Sequence, residues 1–212
     1  MKVIPGILEK NLEETQQKLS KLIGVADRVH IDIIDGRFAD NLTIGASQVK
    51  KLRTQIPYFL HLMVLLDPLL LAEFGKTAAT GLIFYKKSVE LLNTTVEQIK
   101  GFGKKVGIAL EIEDEVDEVE GVLDRVNFVL VMGVHSGFAG QQFFPEVLAK
   151  ISQIHNYLPD LEVGVDGGVD EKDIKLAKMS GANFVVVNSA LWEAKDIKDR
   201  LLELQRLVAF NH

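Results

Sequence analysis

The sequence predicts an α/β fold of the (β/α)8 TIM-barrel type. Short apolar, β-branched segments alternate with amphipathic segments along the chain, and eight such apolar segments can be distinguished. This alternation is typical of a parallel sheet, because consecutive parallel strands need a crossover helix between them. The length of 212 residues also lies near the lower end of the range of about 200 to 400 residues that such barrels span. A doubly wound open sheet is the second interpretation.

The eight predicted strands begin near Val3, Val29, Tyr58, Gly81, Lys105, Asn127, Glu162 and Asn183. Each interval between successive starts is long enough for one strand and one helix. Residues 128–132 (FVLVM) and 184–187 (FVVV) are apolar without alternation. Parallel strands that are covered on both faces have this pattern, so we expect both segments to be buried.

The intervening segments carry the signals of helix ends. Asn11 can cap a first helix, with Glu14 three residues later and Gly24 at its end. Asp170 can cap a late helix that stops before Gly181. The apolar face of the closing helix comprises Ile197, Leu201, Leu204 and Val208. No shift in composition marks a boundary, so we expect one domain over residues 1–212.

Composition excludes several classes of protein. The 24 basic and 30 acidic side chains give a formal charge of -6 without a basic cluster, which argues against nucleic acid or anionic membrane as partner. With no cysteine, the chain has no disulfide, thiolate metal site or cysteine nucleophile. We see neither an export signal nor an apolar stretch long enough to span a membrane, and we expect a cytoplasmic protein.

Four polar residues fall at the ends of predicted strands, where a barrel of this type places its active site. His30 and Asp32 end the second strand and share one face of it, since side chains alternate with a period of two. His61 ends the third strand and Asp166 the seventh. Buried imidazoles and carboxylates need partners, and this set suits one Zn(II), Fe(II), Mn(II) or Co(II) ion, with positions left open for substrate oxygens.

Glycine-rich segments follow the last three predicted strands and are candidates for phosphate binding. Glycine lets backbone N–H groups approach an anion, and the start of a following helix adds a favourable dipole, so no basic side chain is required. The candidate residues are Gly137, Phe138, Ala139, Gly140, Gly167, Gly168, Asn188 and Ser189.

Ordered motifs over nearly the whole chain make the sequence resemble the ribulose-phosphate 3-epimerase family. The most specific is the segment 29–38 (VHIDIIDGRF), followed by 41–45 (NLTIG). The others are 61–63 (HLM), 131–132 (VM), 137–138 (GF), 140–141 (GQ), 144–145 (FP) and 165–168 (VDGG). Several ordered motifs at compatible spacing are far more specific than any one of them.

The resemblance implies a barrel of the ribulose-phosphate-binding type, an isomerase that uses a divalent metal to interconvert D-ribulose 5-phosphate and D-xylulose 5-phosphate in the pentose phosphate pathway. It implies His30, Asp32, His61 and Asp166 as metal ligands, with Asp32 and Asp166 as the acid/base pair. His61 and the glycine-rich segments would contact the sugar phosphate. A homo-oligomer is expected from the same resemblance.

The implied chemistry explains such a set. Epimerisation beside a ketone removes a proton at C3 and returns one to the opposite face of a planar enediolate, so one acid/base group is needed for each face. A metal stabilises the enediolate charge as a Lewis acid. Met63 and Met132 are interpreted as apolar side chains that line the site, and a role in filling the core accounts for their positions equally well.

The sequence departs from the family pattern around the predicted barrel mouth. Gly6 stands in place of a substrate-contacting serine, and Lys86 stands where the fourth strand usually offers a histidine. The further departures are Ile34, Ser88, Glu111, Ile112, His135, Ser136, Ala139 and Asn188. Gly6, Lys86 and His135, with Met63 and Met132, are therefore considered as possible substrate contacts.

Three alternatives remain open at this level. The chain could be an epimerase for another ketose phosphate, such as a hexulose 6-phosphate. It could be an aldolase-type barrel in which Lys86 forms a Schiff base, although a solvated lysine is the more common meaning of such a position. It could also be a non-catalytic barrel that binds sugar phosphates.

Overall fold

The structure, a computed structural model, describes residues 1–138 and 140–209. Eight parallel strands form a closed barrel in chain order. They are β1 (Lys2–Ile7), β2 (Val29–Ile34), β3 (Tyr58–Met63), β4 (Gly81–Tyr85), β5 (Lys105–Leu110), β6 (Phe128–Met132), β7 (Glu162–Asp166) and β8 (Phe184–Val187). The barrel closes because β1 pairs with β8 as well as with β2. The predicted (β/α)8 barrel is confirmed, and the doubly wound sheet is wrong.

Helices surround the barrel. They are α1 (Leu12–Lys21), α2 (Ala46–Val49), α3 (Pro68–Gly75), α4 (Leu92–Gly101), α5 (Glu120–Leu123), α6 (Ala149–Tyr157), α7 (Glu171–Met179), α8 (Ser189–Trp192) and α9 (Ile197–Ala209). Short 3-10 segments cover Lys86–Ser88, Val116–Glu118 and Pro145–Leu148. The α2, α5 and α8 helices have four residues each and are the shortest in the layer around the barrel.

The predicted helix ends are found in the structure. Asn11 caps α1, and its side chain accepts a hydrogen bond from the backbone of Glu14. Asp170 caps α7 by accepting from two backbone N–H groups of the first turn. Gly181, which follows α7, has a φ of +92°, a conformation that glycine adopts without strain. Leu201, Leu204 and Val208 of α9 are buried, which confirms its predicted apolar face.

Three phenylalanines fill the barrel interior near the amino ends of the strands, and each stands beside a glycine of a neighbouring strand. The register pairs are Phe59 with Gly81, Phe128 with Gly107, and Phe184 with Gly164. A Cβ atom at Gly164 would lie 2.1 Å from the ring of Phe184, and one at Gly107 would lie 2.5 Å from that of Phe128. The glycines therefore provide the volume that the rings occupy.

The opening below these rings is lined by charged side chains. The Arg28 guanidinium lies 4.5 Å from the ring centre of Phe59 and 3.5 Å from a carboxylate oxygen of Glu162. A cavity of about 500 Å³ lies at this end of the barrel. Among the described residues, no helix is both long and apolar enough to cross a membrane.

Candidate active site

The four polar residues predicted at strand ends meet inside the carboxyl end of the barrel. The Nε2 atom of His30 lies 3.0 Å from Asp32 Oδ1 and 3.2 Å from Asp166 Oδ2. The Nδ1 atom of His61 lies 3.1 Å and 3.6 Å from the same two oxygens. One nitrogen of each imidazole thus faces both carboxylates, and we call these four residues the His/Asp ring.

Strand pairing explains why the ring forms. Asp32 of β2 stands opposite His61 of β3 in the parallel register, and alternation along β2 places His30 on the inward face with Asp32. The hydroxyl of Thr43 fixes the end of β2, since it donates to the backbone carbonyl of Asp32 (2.8 Å) and accepts from the backbone N–H of Ile34 (2.8 Å). The ring is therefore held by rigid strands, with loops only at its edge.

Burial and charge act against each other in the ring. Burial lowers the pKa of His30, but the charges and hydrogen bonds of Asp166 and Asp32 outweigh it and raise that pKa to about 10. The pKa of His61 is also raised, since its hydrogen bonds to both carboxylates outweigh its burial. Burial raises the pKa of each aspartate, yet the His30 charge and the hydrogen bonds of both imidazoles lower the final values. Without a metal, the ring therefore favours a protonated His30 beside two ionised carboxylates.

The same atoms can hold a divalent metal ion. All four ligand atoms lie within 4.8 Å of one another, and the imidazole-to-carboxylate distances in the ring run from 3.0 to 3.6 Å. An ion with ligand bonds of about 2.1 Å holds neighbouring ligand atoms roughly 3.0 to 3.4 Å apart. Two nitrogens and two carboxylate oxygens also form the donor set that borderline divalent ions prefer. The residues present therefore fit a metal in both spacing and chemistry.

A small cavity of about 40 Å³ opens above the ring. Asp32 and Asp166 line it, together with side chains or backbone from β3, β6, β8 and the loops that follow β6, β7 and β8. The other lining residues are Leu8, Met63, Met132, Val134, Ser136, Gly137, Phe138, Gly140, Gly167, Gly168, Val169, Val186, Asn188 and Ser189. The carboxylates predicted for proton transfer are thus reachable from this cavity.

Glycines shape the loops around the cavity. Gly167 and Gly168 both have positive φ angles, and a Cβ atom at Gly168 would lie 2.6 Å from the backbone oxygen of Gln141. The loop after β7 therefore packs backbone to backbone against the loop after β6. Asn41 joins a third loop to them, because its side-chain amide donates to the carbonyl of Gly137 (2.7 Å).

Several predicted site residues lie elsewhere. Lys86 is half-exposed and pairs with Glu118 at 2.8 Å, so its amine does not line the cavity. His135 is exposed, and its Nδ1 lies 3.4 Å from a carboxylate oxygen of Glu113 on the rim. Gly6 packs against β8, and its carbonyl accepts from the indole of Trp192 (2.6 Å). Ala139 lies outside the described residues.

Two polar residues beside the ring, Tyr85 and Ser136, were not among the predicted site residues. The hydroxyl of Tyr85 lies 2.8 Å from His61 Nε2 and 2.7 Å from Ser136 Oγ. Tyr85 ends the apolar run 81–85 (GLIFY), in which a tyrosine is easily mistaken for core filling. The available signal was that a buried phenol requires a hydrogen-bond partner.

Comparison with known proteins agrees with these features. The sequence pattern of the ribulose-phosphate 3 epimerase family matches residues 2–192. The ribulose-phosphate 3-epimerase of Bacillus subtilis is 33% identical over 213 residues, covering 97% of this chain and 98% of that protein. The chloroplastic ribulose-5-phosphate-3-epimerase of Arabidopsis thaliana is 35% identical over 209 residues, covering 94% of this chain and 74% of that protein.

Solved structures share the architecture at lower identity. The 3-hexulose-6-phosphate synthase of Salmonella typhimurium superposes with a TM-score of 0.74 at 16% identity, and each chain is covered completely (100%). The orotidine 5'-phosphate decarboxylase of Pyrococcus horikoshii gives a TM-score of 0.70 at 13% identity, covering 99% of this chain and 100% of that one. These likenesses concern the fold alone, whereas the full-length sequence matches assign the chain to the ribulose-phosphate 3-epimerase family.

Proposed function

We propose that the protein is a metal-dependent 3-epimerase of a ketose phosphate, and that it interconverts D-ribulose 5-phosphate and D-xylulose 5-phosphate. The observation that carries the proposal is the His/Asp ring, which places two carboxylates and two imidazoles at the base of a cavity in a barrel of this family. Lys86 pairs with Glu118 outside the cavity, so the geometry gives no support to the Schiff-base alternative.

Asp32 and Asp166 are assigned to proton transfer. Their contacts with the imidazoles use Oδ1 of Asp32 and Oδ2 of Asp166, which leaves the second oxygen of each carboxylate for the substrate. One aspartate takes the proton from C3, and the other delivers a proton to the opposite face of the planar carbon. The lowered pKa values supply an ionised carboxylate as the base, and the other carboxyl must hold a proton when it acts as the acid. Exchange of the two roles between Asp32 and Asp166 runs the reaction in the opposite direction.

His30 and His61 are assigned, with the two aspartates, to holding one divalent ion, for which Zn, Fe, Mn and Co are the candidates. Such an ion supplies Lewis-acid stabilisation of the negative charge that develops on the substrate oxygens. His30 must lose a proton before it can bind the ion, because its metal-free pKa is raised to about 10. Met63 and Met132 are buried beside the carboxylates and exclude water from the reacting carbon.

The phosphate group is assigned to the glycine loops. Gly137, Phe138, Gly140, Gly167, Gly168, Asn188 and Ser189 line the cavity, and Ala139 belongs to the same segment of sequence. Asp170 occupies backbone N–H groups at the start of α7, whereas no side chain caps the start of α8. The backbone N–H groups of the loops and of the start of α8 are therefore the ones assigned to the anion. Recognition by backbone N–H groups explains how a protein with a net charge of -6 binds a phosphate.

The test is solvent exchange at C3. Metal-loaded protein is incubated with D-ribulose 5-phosphate in D2O, and proton NMR follows the C3 signal and the appearance of D-xylulose 5-phosphate. We expect metal-dependent exchange that Asp32→Asn and Asp166→Asn each slow by at least about 100-fold. Glu113→Gln, which changes an exposed rim carboxylate, is the matched control and is expected to behave as wild type.

The same assay separates the substrate alternatives. Absence of exchange in folded, metal-loaded protein would reject D-ribulose 5-phosphate as the substrate. Exchange into a hexulose 6-phosphate instead would indicate a shifted specificity, and tight binding of ketose phosphates without any exchange would indicate a non-catalytic barrel.

A further inference from the structure

Tyr85 is fully buried at the carboxyl end of β4, beside the His/Asp ring but outside the set of four ring residues. Its hydroxyl lies between two polar atoms, His61 Nε2 at 2.8 Å and Ser136 Oγ at 2.7 Å. The ring of Phe38 covers the phenol, with 4.7 Å between the ring centres. The hydroxyl therefore has a fixed position and two defined partners.

The two nitrogens of His61 have different surroundings. Nδ1 faces the carboxylates of Asp32 and Asp166, which can only accept hydrogen bonds when ionised. Nε2 faces Tyr85, whose hydroxyl can accept from Nε2 and donate to Ser136 at the same time. A neutral imidazole that binds a metal through Nδ1 must carry its proton on Nε2, so it needs an acceptor at that position.

We propose that Tyr85 is a positioning residue for metal binding, because its hydroxyl holds the Nε2–H of His61 and so directs Nδ1 of the same ring into the His/Asp ring. The chain of donors runs from His61 Nε2–H to the Tyr85 oxygen, and from the Tyr85 O–H to Ser136 Oγ. This inference rests on the metal site assigned under the proposed function, but it does not depend on the identity of the sugar.

The proposed chain also connects the metal site to a substrate loop. Ser136 lines the cavity and directly precedes Gly137, at the start of the glycine segment assigned to phosphate. Partners of this kind typically change metal affinity by about 10- to 100-fold when they are removed. We expect Ser136→Ala to have a smaller effect, since Tyr85 would still accept from His61.

The protein offers a matched control in Tyr58. This residue is also buried, but its hydroxyl has no hydrogen-bond partner in the described part of the chain. Tyr58→Phe and Tyr85→Phe make the same chemical change at two buried sites. Only Tyr85→Phe removes the hydrogen-bond partner of a proposed metal ligand, His61.

The experiment measures metal affinity rather than turnover. Metal-free wild type, Tyr85→Phe, Tyr58→Phe and Ser136→Ala are titrated with Zn(II) and Co(II) against a competing chromogenic chelator. We expect Kd to rise about 10- to 100-fold in Tyr85→Phe, less in Ser136→Ala, and less than about twofold in Tyr58→Phe. The visible absorption of bound Co(II) is expected to change in Tyr85→Phe, because the His61 ring is less constrained.

A second measurement needs no variant. In metal-loaded wild type labelled with 15N at histidine, NMR is expected to show the His61 proton on Nε2, as a downfield signal that exchanges slowly with water. Equal Kd values in Tyr85→Phe and Tyr58→Phe, or an unprotonated Nε2 in wild type, would overturn the inference. Failure of wild type to bind either metal would overturn the metal site and this inference together, whereas metal binding without epimerisation would overturn only the proposed reaction.

Discussion

The two ends of the barrel interior are filled by opposite kinds of side chain. At the amino end, three phenylalanine rings are matched by three glycines, and the interior is filled by apolar volume. At the carboxyl end, the His/Asp ring buries four ionisable groups. Well-packed apolar side chains at such positions often give an equally or more stable folded protein. The same strands, β3, β6, β7 and β8, contribute to both ends.

The difference teaches that fold and chemistry are separated along the strand axis. Side chains near the start of each strand determine whether the barrel closes, and those near its end determine what the barrel binds. Cavity size does not identify the working end, because the larger cavity, of about 500 Å³, lies below the phenylalanines, and the one above the His/Asp ring has about 40 Å³. Substitutions at the two ends should therefore have separable effects.

The largest effect is expected from Asp32→Asn at the carboxyl end. Asp32 is both an acid/base group and a proposed metal ligand, so its replacement by a neutral amide should lower the epimerisation rate by at least about 10²-fold. The midpoint of thermal unfolding of the metal-loaded protein should change by only a few degrees. Turnover and calorimetry of the same preparation check both parts. A variant that loses its fold along with its rate would contradict the separation.

The next effect is expected from Phe128→Ala at the amino end. This ring stacks on Phe59 at 5.2 Å and meets the edge of Phe184 at 5.7 Å, so its removal leaves a cavity in the barrel. We expect a loss of about 3 to 5 kcal/mol in the free energy of unfolding. Urea unfolding gives this value, and turnover per folded molecule should stay within a few-fold of wild type. Lost activity with an unchanged unfolding curve would contradict the assignment of the amino end to stability rather than to chemistry.

A smaller effect is expected from Gly164→Ala, which adds one methyl group against the ring of Phe184. Overpacking should lower the free energy of unfolding by about 1 to 3 kcal/mol. Combining it with Phe184→Leu should recover part of the loss, and a double-mutant cycle measures this coupling. Gly121→Ala on α5 is the control, because nothing lies within 4 Å of a Cβ atom there. Equal losses at both glycines would exclude ring packing as the cause.

The smallest effect is a pH dependence that belongs to the carboxyl end. The pKa of His30 is raised from 6.5 to about 10, so its contribution to stability is fully present below pH 6.5 and is lost as the pH rises through 10. Urea unfolding of metal-free protein at pH 7, 8 and 9 should show a decline of about 1 kcal/mol per pH unit. Saturation with metal should remove the decline, because a bound imidazole is neutral. A flat profile without metal would contradict the assigned charge of His30.

Much of the barrel could be predicted because its signals are local. Each strand is a short apolar run, and the alternation of His30 and Asp32 is visible within three residues. The predicted starts at Asn127 and Asn183 precede the actual strands by one residue. The two asparagines still bridge strands, since their side chains accept from the backbone N–H groups of Val106 and Val163.

The parts that escaped prediction depend on distant contacts. The role of Tyr85 becomes visible only when the register brings β4 beside β3 and the loop after β6 reaches its hydroxyl. Lys150 of α6 is similar, because its amine binds three backbone carbonyls of the segment 111–114 and thereby fixes the loop after β5. Sequence alone likewise could not show that Gly6 and Lys86 do not line the cavity. Their partners, Trp192 and Glu118, come from distant segments of the chain.

The pairing of β1 with β8 has a consequence for how the chain is made. The register places Lys2 of β1 opposite Phe184 of β8. Since β1 is synthesised before β8, the edge of β1 that pairs with β8 stays unpaired until β8 has been made. Until then, the backbone groups on that edge of β1 can pair with a strand of another nascent chain. Closure of the barrel is therefore the step that covers this edge and removes it as a template for aggregation.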